Sequence, residues 1–323
     1  MIELIYFITL LAAVNNITRC AIVRNPLTIR DSVKGGCPFL RSPPWARDIL
    51  VMSENGIDNG IMNEERRRNV DPSSRARFRY FLKDSVRQIV DFRNTDQHRG
   101  IAPPPLEKPI PDGARLIDLI PAEELHDISS MDVFTAIASR RTRRAYSPEP
   151  LTLKELSFLL WATQGIKRIA APGTAFRVVP SAGCRHALET YLCIFNIEGI
   201  EEGVYRYLPV EHRLLRVSQP AQLSARISAA TLGQDFVGKC AAVFVWTAVP
   251  YRMEWRYDVA AHKVIALDAG HVCQNLYTAC EAIHAATCAV AAYHQELMDN
   301  LLGLDGDEEF SIYLAPVGKN KPE

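Results

Sequence analysis

The order of the apolar segments between residues 126 and 323 constrains the fold more than any other feature of the sequence. Runs rich in β-branched and aromatic residues have the length of strands, and one long helical pattern separates the third run from the last. The strand runs are 190–197, 203–208, 241–249 and 310–317, and the helical pattern is 262–284. Because helices do not alternate regularly with strands, and because no Gly-x-Gly-x-x-Gly motif is present, we expect an α+β fold with a mixed, mainly antiparallel sheet.

Two helices are expected to open this region. Ser130 precedes the first helical pattern as its cap, and Thr152 with Glu155 has the spacing of a capping box at the start of the second. The first helix is expected to run through Val133, Phe134, Ile137 and Ala138, and the second to bury Leu156, Leu159, Leu160 and Ala162.

Residues 1–61 differ from the rest of the chain. An apolar run at 5–14 has the length of a signal-peptide core, but Glu3 stands where a basic region is required. The sequence that begins at Met62 resembles a native amino terminus. We therefore expect residues 1–61 to be an upstream extension that is absent from the native protein.

Residues 62–125 are expected to form an arm and a linker in front of the main domain. Apolar residues recur at helical spacing between 73 and 92, which predicts a helix with one apolar docking face. The proline run 103–105 then breaks any helix and predicts an extended linker. The main domain is expected to span residues 126–323.

Charge and cysteine usage exclude several classes of function. Lysine plus arginine and aspartate plus glutamate each number 37, so no net field draws the protein to nucleic acid or to an anionic membrane. The eight cysteines include no Cys-x-x-Cys pair, which indicates reduced thiols in a cytoplasmic protein. Beyond the short run at 5–14, no run approaches the roughly 18 apolar residues of a membrane helix. We expect a cytoplasmic protein that binds neither nucleic acid nor membrane.

The sequence Ser-Arg-Arg-Thr-Arg-Arg-Ala-Tyr at residues 139–146 is the sharpest chemical feature. Four guanidiniums this close repel one another unless an anion or an acidic patch gathers them. A phosphate monoester matches the paired planar donors of arginine, and the Thr142 hydroxyl adds one more. Two alternatives remain, a solvated helix end whose cations complement the macrodipole and a nucleic-acid contact, which the zero net charge disfavours.

A second candidate is the turn sequence Pro-Ser-Ala-Gly-Cys-Arg-His at residues 180–186. Its small residues can bring backbone amides close to a flat ligand, although any surface turn uses the same residues. Cys184 and His186 also raise the alternative of a thiol hydrolase. Adjacent residues rarely reach catalytic geometry, however, and no third orienting group is evident.

Cys273, Tyr277, Cys280 and His284 share one face of the predicted long helix. Thiols and an imidazole on one helix need ligands from elsewhere to complete a tetrahedral metal shell, and cysteine is also an ordinary core residue. We therefore expect this face to pack in the core and expect no metal site.

Several ordered segments together resemble the nitroreductase superfamily. They are Arg-Arg-Thr-Arg-Arg-Ala-Tyr at 140–146, Pro-Ser-Ala-Gly at 180–183, Asp-Ala-Gly-His-Val-Cys-Gln-Asn-Leu at 268–276 and Leu-Ala-Pro-Val-Gly at 314–318. Residues 150–156 and 160–165 are similar to one branch of it, the SagB-type dehydrogenases, whose best-known members oxidise azoline rings to azoles in ribosomal peptides. The resemblance spans about residues 131–319.

The resemblance implies a nitroreductase-like fold in an intertwined homodimer, with FMN at each subunit interface. Arg140, Thr142 and Arg144 match positions that hold the phosphate and the polar edge of the flavin. Lys319, after Gly318, matches a basic position near the phosphate. The turn that lies against the isoalloxazine ring is matched by Pro180, Ser181, Ala182 and Gly183, and Arg185 follows it.

Three departures from the family pattern concern the same site. Cys184 stands where many members have asparagine, and alanines occupy a loop at 288–293 where the family has glycine. The lysine-tyrosine pair of the azoline oxidases is replaced by Arg256-Tyr257. Because arginine stays protonated and cannot act as a base, Tyr257 is expected to handle the proton if this pair is catalytic.

The expected function is that of an FMN-dependent oxidoreductase that transfers hydride by a ping-pong mechanism. A small-molecule or peptide substrate is expected, with NAD(P)H as a candidate electron donor. Two alternatives stay open. One is an NAD(P)H-dependent nitro or quinone reductase, and the other is a peptide-binding accessory protein without redox activity.

Overall fold

A seven-stranded sheet forms the centre of the part of the chain that the computed structural model describes, residues 72–321. The strands in chain order are β1 (Leu116–Asp118), β2 (Ile166–Ala171), β3 (Thr174–Arg177), β4 (Leu188–Ile194), β5 (Gly203–Leu208), β6 (Arg213–Ser218), β7 (Ala242–Ala248), β8 (Ala285–Thr287) and β9 (Phe310–Lys319). The large sheet has the order β1-β6-β5-β4-β7-β9-β8, and β2 with β3 forms a separate hairpin. The expectations for the apolar run 5–14 and for Met62 lie outside the described residues.

All neighbouring strands of the large sheet are antiparallel. Within residues 72–321, the one parallel pairing is an isolated bridge between Leu151 and Ile197. This arrangement confirms the predicted α+β class and the mainly antiparallel sheet.

Seven α-helices surround the sheet in the described part of the chain. They are α1 (Pro72–Leu82), α2 (Val133–Ser139), α3 (Leu153–Gln164), α4 (Leu223–Ala230), α5 (Tyr251–Tyr257), α6 (Ala261–Ala282) and α7 (Gln295–Leu302). Short 3₁₀ helices lie at Asp84–Ile89, Phe92–Asn94, Ala122–Glu124, Ala182–Cys184, Val237–Lys239 and Asp258–Ala260. None of the described helices is long and apolar enough to cross a membrane.

The two helix caps differ in outcome. Both halves of the predicted capping box of Thr152 and Glu155 are present at the start of α3. The cap of α2 is Asp132 rather than Ser130, because the helix begins at Val133 and the Asp132 carboxylate accepts the backbone N–H of Thr135 at 3.0 Å. The prediction of Ser130 as the cap is therefore wrong by two residues.

Both faces of the sheet are buried. Successive residues of a strand point to opposite faces, so Leu192 of β4 packs in one cluster with Leu276 of α6, whereas Cys193 packs in another with Ile227 of α4 and Met298 of α7. Helix α6 therefore runs across the more extensive cluster. Its Cys273 and Cys280 are buried there as expected, and His284 beyond its end is exposed.

The helix predicted over 73–92 is shorter than expected. α1 ends at Leu82, Lys83 is extended, and the chain continues as 3₁₀ turns. Phe78 and Leu82 expose 75% and 69% of their surface, so the first half of the predicted apolar face is not covered by the described residues. A short helical pattern without a packing partner does not propagate further, because helix stability in proteins comes mainly from packing.

Residues 96–110, here called the strap, tie the Pro-rich segment to the domain. The N–H of Gln97 donates to the Trp255 carbonyl of α5 at 2.9 Å, and the Trp255 indole N–H donates to the Ile101 carbonyl at 2.9 Å. The N–H of Lys108 donates to the buried Glu189 carboxylate at 3.0 Å. Farther along, β1 pairs with β6 and joins the sheet.

Candidate functional site

The arginine-rich segment follows the end of α2 and crosses α6. The Arg140 guanidinium lies 5.4 Å from the centre of the Tyr277 ring, and the Thr142 hydroxyl lies 3.1 Å from the Tyr277 hydroxyl. The Tyr277 hydroxyl also accepts the backbone N–H of Ala289 at 2.8 Å. Tyr277 therefore joins the arginine segment to the loop that follows β8.

The charges of this segment are only partly neutralised. Arg143 forms an ion pair with Glu281 at 2.6 Å, and the same carboxylate accepts the backbone N–H of Arg141 at 3.2 Å. Within residues 72–321, the side chains of Arg140, Arg141 and Arg144 have no carboxylate within ion-pairing distance. Three guanidiniums thus retain donors for an added anion.

Arg144 is exposed but contacts two neighbouring side chains. Its guanidinium lies 5.8 Å from the centre of the Phe236 ring and reaches the Cys288 thiol. Burial raises the pKa of Cys288, and the Arg144 cation opposes that shift. Cys288 is the first residue of the alanine loop at 288–293. The loop and the arginine segment are therefore in contact with each other.

The turn at 180–186 is fixed by a buried carboxylate on α6. Asp268 is 4% exposed, and its Oδ1 accepts the backbone N–H of Ala182 at 3.4 Å and interacts with the Ser181 hydroxyl. The Ser181 oxygen in turn accepts the backbone N–H of His186 at 2.9 Å. Burial raises the pKa of Asp268, and the Ser181 and Ala182 donors oppose the rise.

Three residues of this turn adopt left-handed backbone conformations. Gly183 has a φ of 57°, and Cys184 and His186 have φ values of 55° and 46°. Such conformations are strained for residues with a side chain and persist only where surrounding contacts impose them. The links from Asp268 through Ser181 to the backbone are contacts of this kind.

The predicted pair Arg256-Tyr257 lies directly on Gly183. A Cβ added there would be 2.6 Å from the Tyr257 hydroxyl and 2.9 Å from Cδ and Nε of Arg256. Only glycine permits this approach. The fold therefore brings the turn together with the end of α5, although more than seventy residues separate them in sequence.

Arg185 is committed to other contacts. Its Nη2 donates to the Gly173 carbonyl at 2.5 Å and to the Thr174 hydroxyl at 2.6 Å, and its guanidinium lies 5.0 Å from the centre of the Trp255 ring. Burial, and then the Arg256 cation, lower its pKa. Arg185 thus holds the β2–β3 turn against α5.

Lys319 is also paired within the chain. Its ammonium contacts the Glu155 carboxylate of the capping box. Gly318 packs against Tyr146, where an added Cβ would lie 3.0 Å from that side chain. A cavity of about 870 Å³ borders Lys319, and Asp127 and Glu149 are among its other lining residues. The ammonium therefore lies in an acidic surrounding.

The thiol hydrolase alternative loses support. His186 is 5% exposed, and its Nε2 contacts the Ala175 carbonyl at 3.1 Å. Burial lowers its pKa to about 3, so its ring is neutral and a weak base at neutral pH. No hydrogen bond joins Cys184 to His186 in the described part of the chain.

The sequence reasoning missed two residues that organise the site. Asp268 and Tyr277 lie nine residues apart on α6, which places them about 14 Å apart along the helix axis. Asp268 carried a detectable signal, because it is a carboxylate within the apolar face that Ile265 and Val272 define. The hydroxyl contacts of Tyr277 involve residues distant in sequence and carried no local signal.

Comparisons with known proteins agree on one family. Residues 137–319 match the sequence profile of the Nitroreductase family. A Methanocaldococcus jannaschii protein described as a nitroreductase is 30% identical over 196 residues, which cover 61% of this chain and 95% of that protein. The trifolitoxin-processing protein TfxB of Rhizobium leguminosarum bv. trifolii is 27% identical over 177 residues, or 52% of this chain and 42% of that one.

The fold is shared with solved structures as well. A crystal structure of a Ralstonia eutropha protein described as a nitroreductase aligns with a TM-score of 0.53 and 24% identity, over 69% of this chain and 95% of that one. The fold expected from the sequence is thereby confirmed.

Proposed function

The chain belongs to the nitroreductase family of oxidoreductases, and we propose that it is an FMN-dependent enzyme of the SagB-type dehydrogenase kind that transfers hydride by a ping-pong mechanism. The observation that carries this proposal is the charge balance of the segment 140–144. Three of its four guanidiniums lack a carboxylate partner among the described residues, and a phosphate monoester supplies the missing negative charge.

Arg140, Thr142 and Arg144 are proposed to hold the phosphate and polar edge of FMN. The Tyr277 hydroxyl and ring fix the first two, and Arg144 is braced between Phe236 and Cys288. Lys319, with Gly318, is proposed as an auxiliary phosphate contact. It is the less favourable of these donors, because its charge is already balanced by Glu155.

The turn Pro180, Ser181, Ala182 and Gly183 is proposed to lie against the isoalloxazine ring. When bound, FMN supplies the reversible acceptance of a hydride, and donors near its pyrimidine edge stabilise the charge that develops. Asp268 keeps the backbone of this turn in place for that contact. The Nη2 atom of Arg185 already donates to Gly173 and Thr174. Arg185 could therefore donate to the flavin only through Nε or Nη1.

Tyr257 and Arg256 are proposed as the catalytic pair. Both contact Gly183, so both are held at the turn where the reacting ring would lie. The phenol can give or take a proton at its hydroxyl, whereas the guanidinium acts as a fixed positive charge.

A homodimer is proposed because the family resemblance implies a flavin at each subunit interface and because apolar surface beside the arginine segment is uncovered. The arginine segment contacts α6 at Tyr277, and the turn contacts it at Asp268, about 14 Å away along the axis. A second copy can present its own turn to the first copy's arginines. Beside those arginines, Val133 and Phe134 of α2 expose 71% and 81% of their surface and form an apolar patch that such a partner would cover.

The domain proposed to carry this site spans residues 126–323, with residues 62–125 as arm and linker. The proposed substrate is a small molecule or a peptide. The similarity to the trifolitoxin-processing protein TfxB favours the dehydrogenase direction, and the M. jannaschii relative favours the second candidate, an NAD(P)H-dependent nitro or quinone reductase. A peptide-binding accessory protein without redox activity is the remaining alternative.

The test is a titration of the purified protein with FMN, followed by absorption spectroscopy. We expect the double variant Arg140→Ala/Arg144→Ala to bind FMN at least about 100-fold more weakly, since each of the two lost charge-assisted contacts is worth roughly 1.5–3 kcal/mol. Arg213→Ala, which removes an arginine of β6 that pairs with Asp118 of the edge strand β1, is the control. Circular dichroism establishes that both variants fold.

Anaerobic addition of NADPH or NADH then separates the candidate reactions. Bleaching of the flavin bands identifies a nicotinamide-dependent reductase, and bound flavin that stays oxidised identifies a dehydrogenase with another donor. Failure of the wild-type protein to bind FMN would reject the flavoenzyme and leave the accessory protein. Unchanged FMN affinity in the double variant would reject the phosphate assignment.

A further inference from the structure

Four arginines surround the turn at 180–186, and they differ in their partners. Arg177, Arg185 and Arg252 all lie close enough to His186 to lower its pKa, after burial, and Arg256 lies close to Arg185. Arg177 donates to Gln164 and to the Leu106 carbonyl, Arg185 donates to Gly173 and Thr174, and Arg252 pairs with the buried Glu189. Each of these three guanidiniums is used inside the fold.

Arg256 is the exception. Within residues 72–321, its guanidinium has no oxygen partner and only stacks 5.5 Å from the centre of the Tyr257 ring. It is half-buried, and its Cδ and Nε lie over Gly183. Donors that the fold does not use are free to bind an added anion, and a guanidinium offers them as a planar pair.

The neighbouring carboxylates do not supply that anion. Glu254 accepts from His262 at 2.8 Å, and Asp258 accepts the backbone N–H of Val259 at 2.7 Å. Asp268 is buried and is used by Ser181 and Ala182. The nearby Arg185 adds a second positive charge. Arg256 therefore keeps an open fork of donors above Gly183 among the described residues.

We propose that Arg256 binds a carboxylate of the substrate, so that the site selects carboxylic acids over neutral molecules of the same shape. The inference rests on the proposed function, because it places the substrate over the turn that faces the flavin. The planar guanidinium fork matches the two oxygens of a carboxylate, and its permanent charge suits recognition and not proton transfer. A phosphoryl group shares this oxyanion chemistry, so the experiment includes both.

The test is isothermal titration calorimetry of the FMN-loaded protein with benzoate, benzamide and phenyl phosphate. These probes share a ring and differ in the group presented to Arg256. We expect benzoate to bind about 10-fold more tightly than benzamide, which corresponds to one net charge-assisted contact. Arg256→Gln removes that preference and leaves benzamide binding unchanged, and Arg256→Lys restores part of it.

Arg168→Gln is the matched control. Arg168 is an exposed arginine on β2 that stacks 4.9 Å from the Phe176 ring, and its replacement is expected to leave all three affinities unchanged. Equal affinity for benzoate and benzamide would overturn the proposal, as would absence of benzoate binding up to about 10 mM. Tighter binding of phenyl phosphate that depends on Arg256 would assign the arginine to a phosphoryl group instead.

The FMN content of each protein, measured first by absorption, separates this inference from the proposed function. A wild-type protein that retains FMN but shows no preference for benzoate over benzamide counts against the role of Arg256 alone. A wild-type protein that binds no FMN but still prefers benzoate through Arg256 counts against the flavoenzyme alone.

Discussion

The hydroxyl of Tyr257 occupies the space beside the Cα of Gly183, only 2.6 Å from where a Cβ would stand. This contact joins the last residue of a seven-residue helix to a turn that comes much earlier in the sequence. Because the position at 183 is also left-handed, two independent reasons require glycine there.

Gly183→Ala is expected to displace Tyr257 and Arg256 and to lower turnover more than 10-fold, because a misplaced catalytic group costs on the order of 100-fold. Stability is expected to fall by about 1–3 kcal/mol from strain at positive φ. Gly199→Ala is the matched control, since Gly199 has a φ of 75° with no atom within 4 Å of its added Cβ. Equal loss of turnover in both variants would show that backbone strain, and not the contact with Tyr257, is responsible.

Tyr277→Phe is expected to weaken FMN binding about 5-fold or more, because it removes the hydroxyl that joins Thr142 to the Ala289 N–H. The unsatisfied N–H should also cost about 1–3 kcal/mol in the free energy of unfolding. FMN titration and urea unfolding measure the two effects. Tyr205→Phe, which removes a hydroxyl that donates to the Glu201 carbonyl at 2.8 Å, should lower stability without changing FMN affinity. Unaltered FMN affinity in Tyr277→Phe would contradict the tethering role.

Asp268→Ala is expected to loosen the turn at 180–186, since Ser181 and Ala182 lose their common acceptor. Amide hydrogen exchange at Ala182 and His186 should become faster, and FMN affinity should fall. Asp268→Asn keeps one carbonyl oxygen and removes a buried charge, so we expect it to retain FMN affinity within about 3-fold. Slow exchange at both amides in the alanine variant would refute the anchoring role.

The Glu254 carboxylate holds the pKa of His262 above its usual range, through a 2.8 Å contact between α5 and α6. Because the pKa is higher in the folded state, the stabilisation is complete below the unfolded pKa of about 6.5 and disappears as pH rises through the folded pKa. Both side chains are about a third to a half exposed, so the effect on unfolding should stay below about 1 kcal/mol.

An NMR titration of the His262 ring checks this shift directly. Glu254→Gln is expected to return its pKa to the ordinary range and to flatten the dependence of stability on pH above about 6.5. The exposed His126, whose ring lies 2.8 Å from the Glu123 carbonyl, provides the reference resonance. A wild-type pKa for His262 no higher than that in Glu254→Gln would exclude the ion pair.

Elements with strong local signals could be predicted from the sequence. The strand run at 203–208 coincides with β5, and the capping box of Thr152 and Glu155 starts α3, since both depend on short-range patterns. The hairpin of β2 and β3 and the helix α5 were not foreseen. Their sequences have weak periodicity, and contacts with the strap and with Arg185 determine their structure.

The same division applies to the candidate site. Arg140 and Thr142 could be grouped from the sequence, because they are neighbours along the chain. That Arg185 would be committed to Gly173, and Lys319 to Glu155, could not be predicted, since both partners are remote in sequence. Tertiary packing determines which acceptor a guanidinium or an ammonium contacts, and the composition of the sequence does not predict it.

The contacts of the strap affect the order in which the tertiary contacts of the domain form during folding. Ile101 leaves the ribosome 154 residues before the Trp255 that it holds, so this contact closes one of the longest loops in the domain. Such contacts form late, because the entropy of closing the loop is lost before the contact is gained. The contact between the strap and the helix that carries Arg256 and Tyr257 is therefore expected to form late, after the strands β1 to β7 have been synthesised.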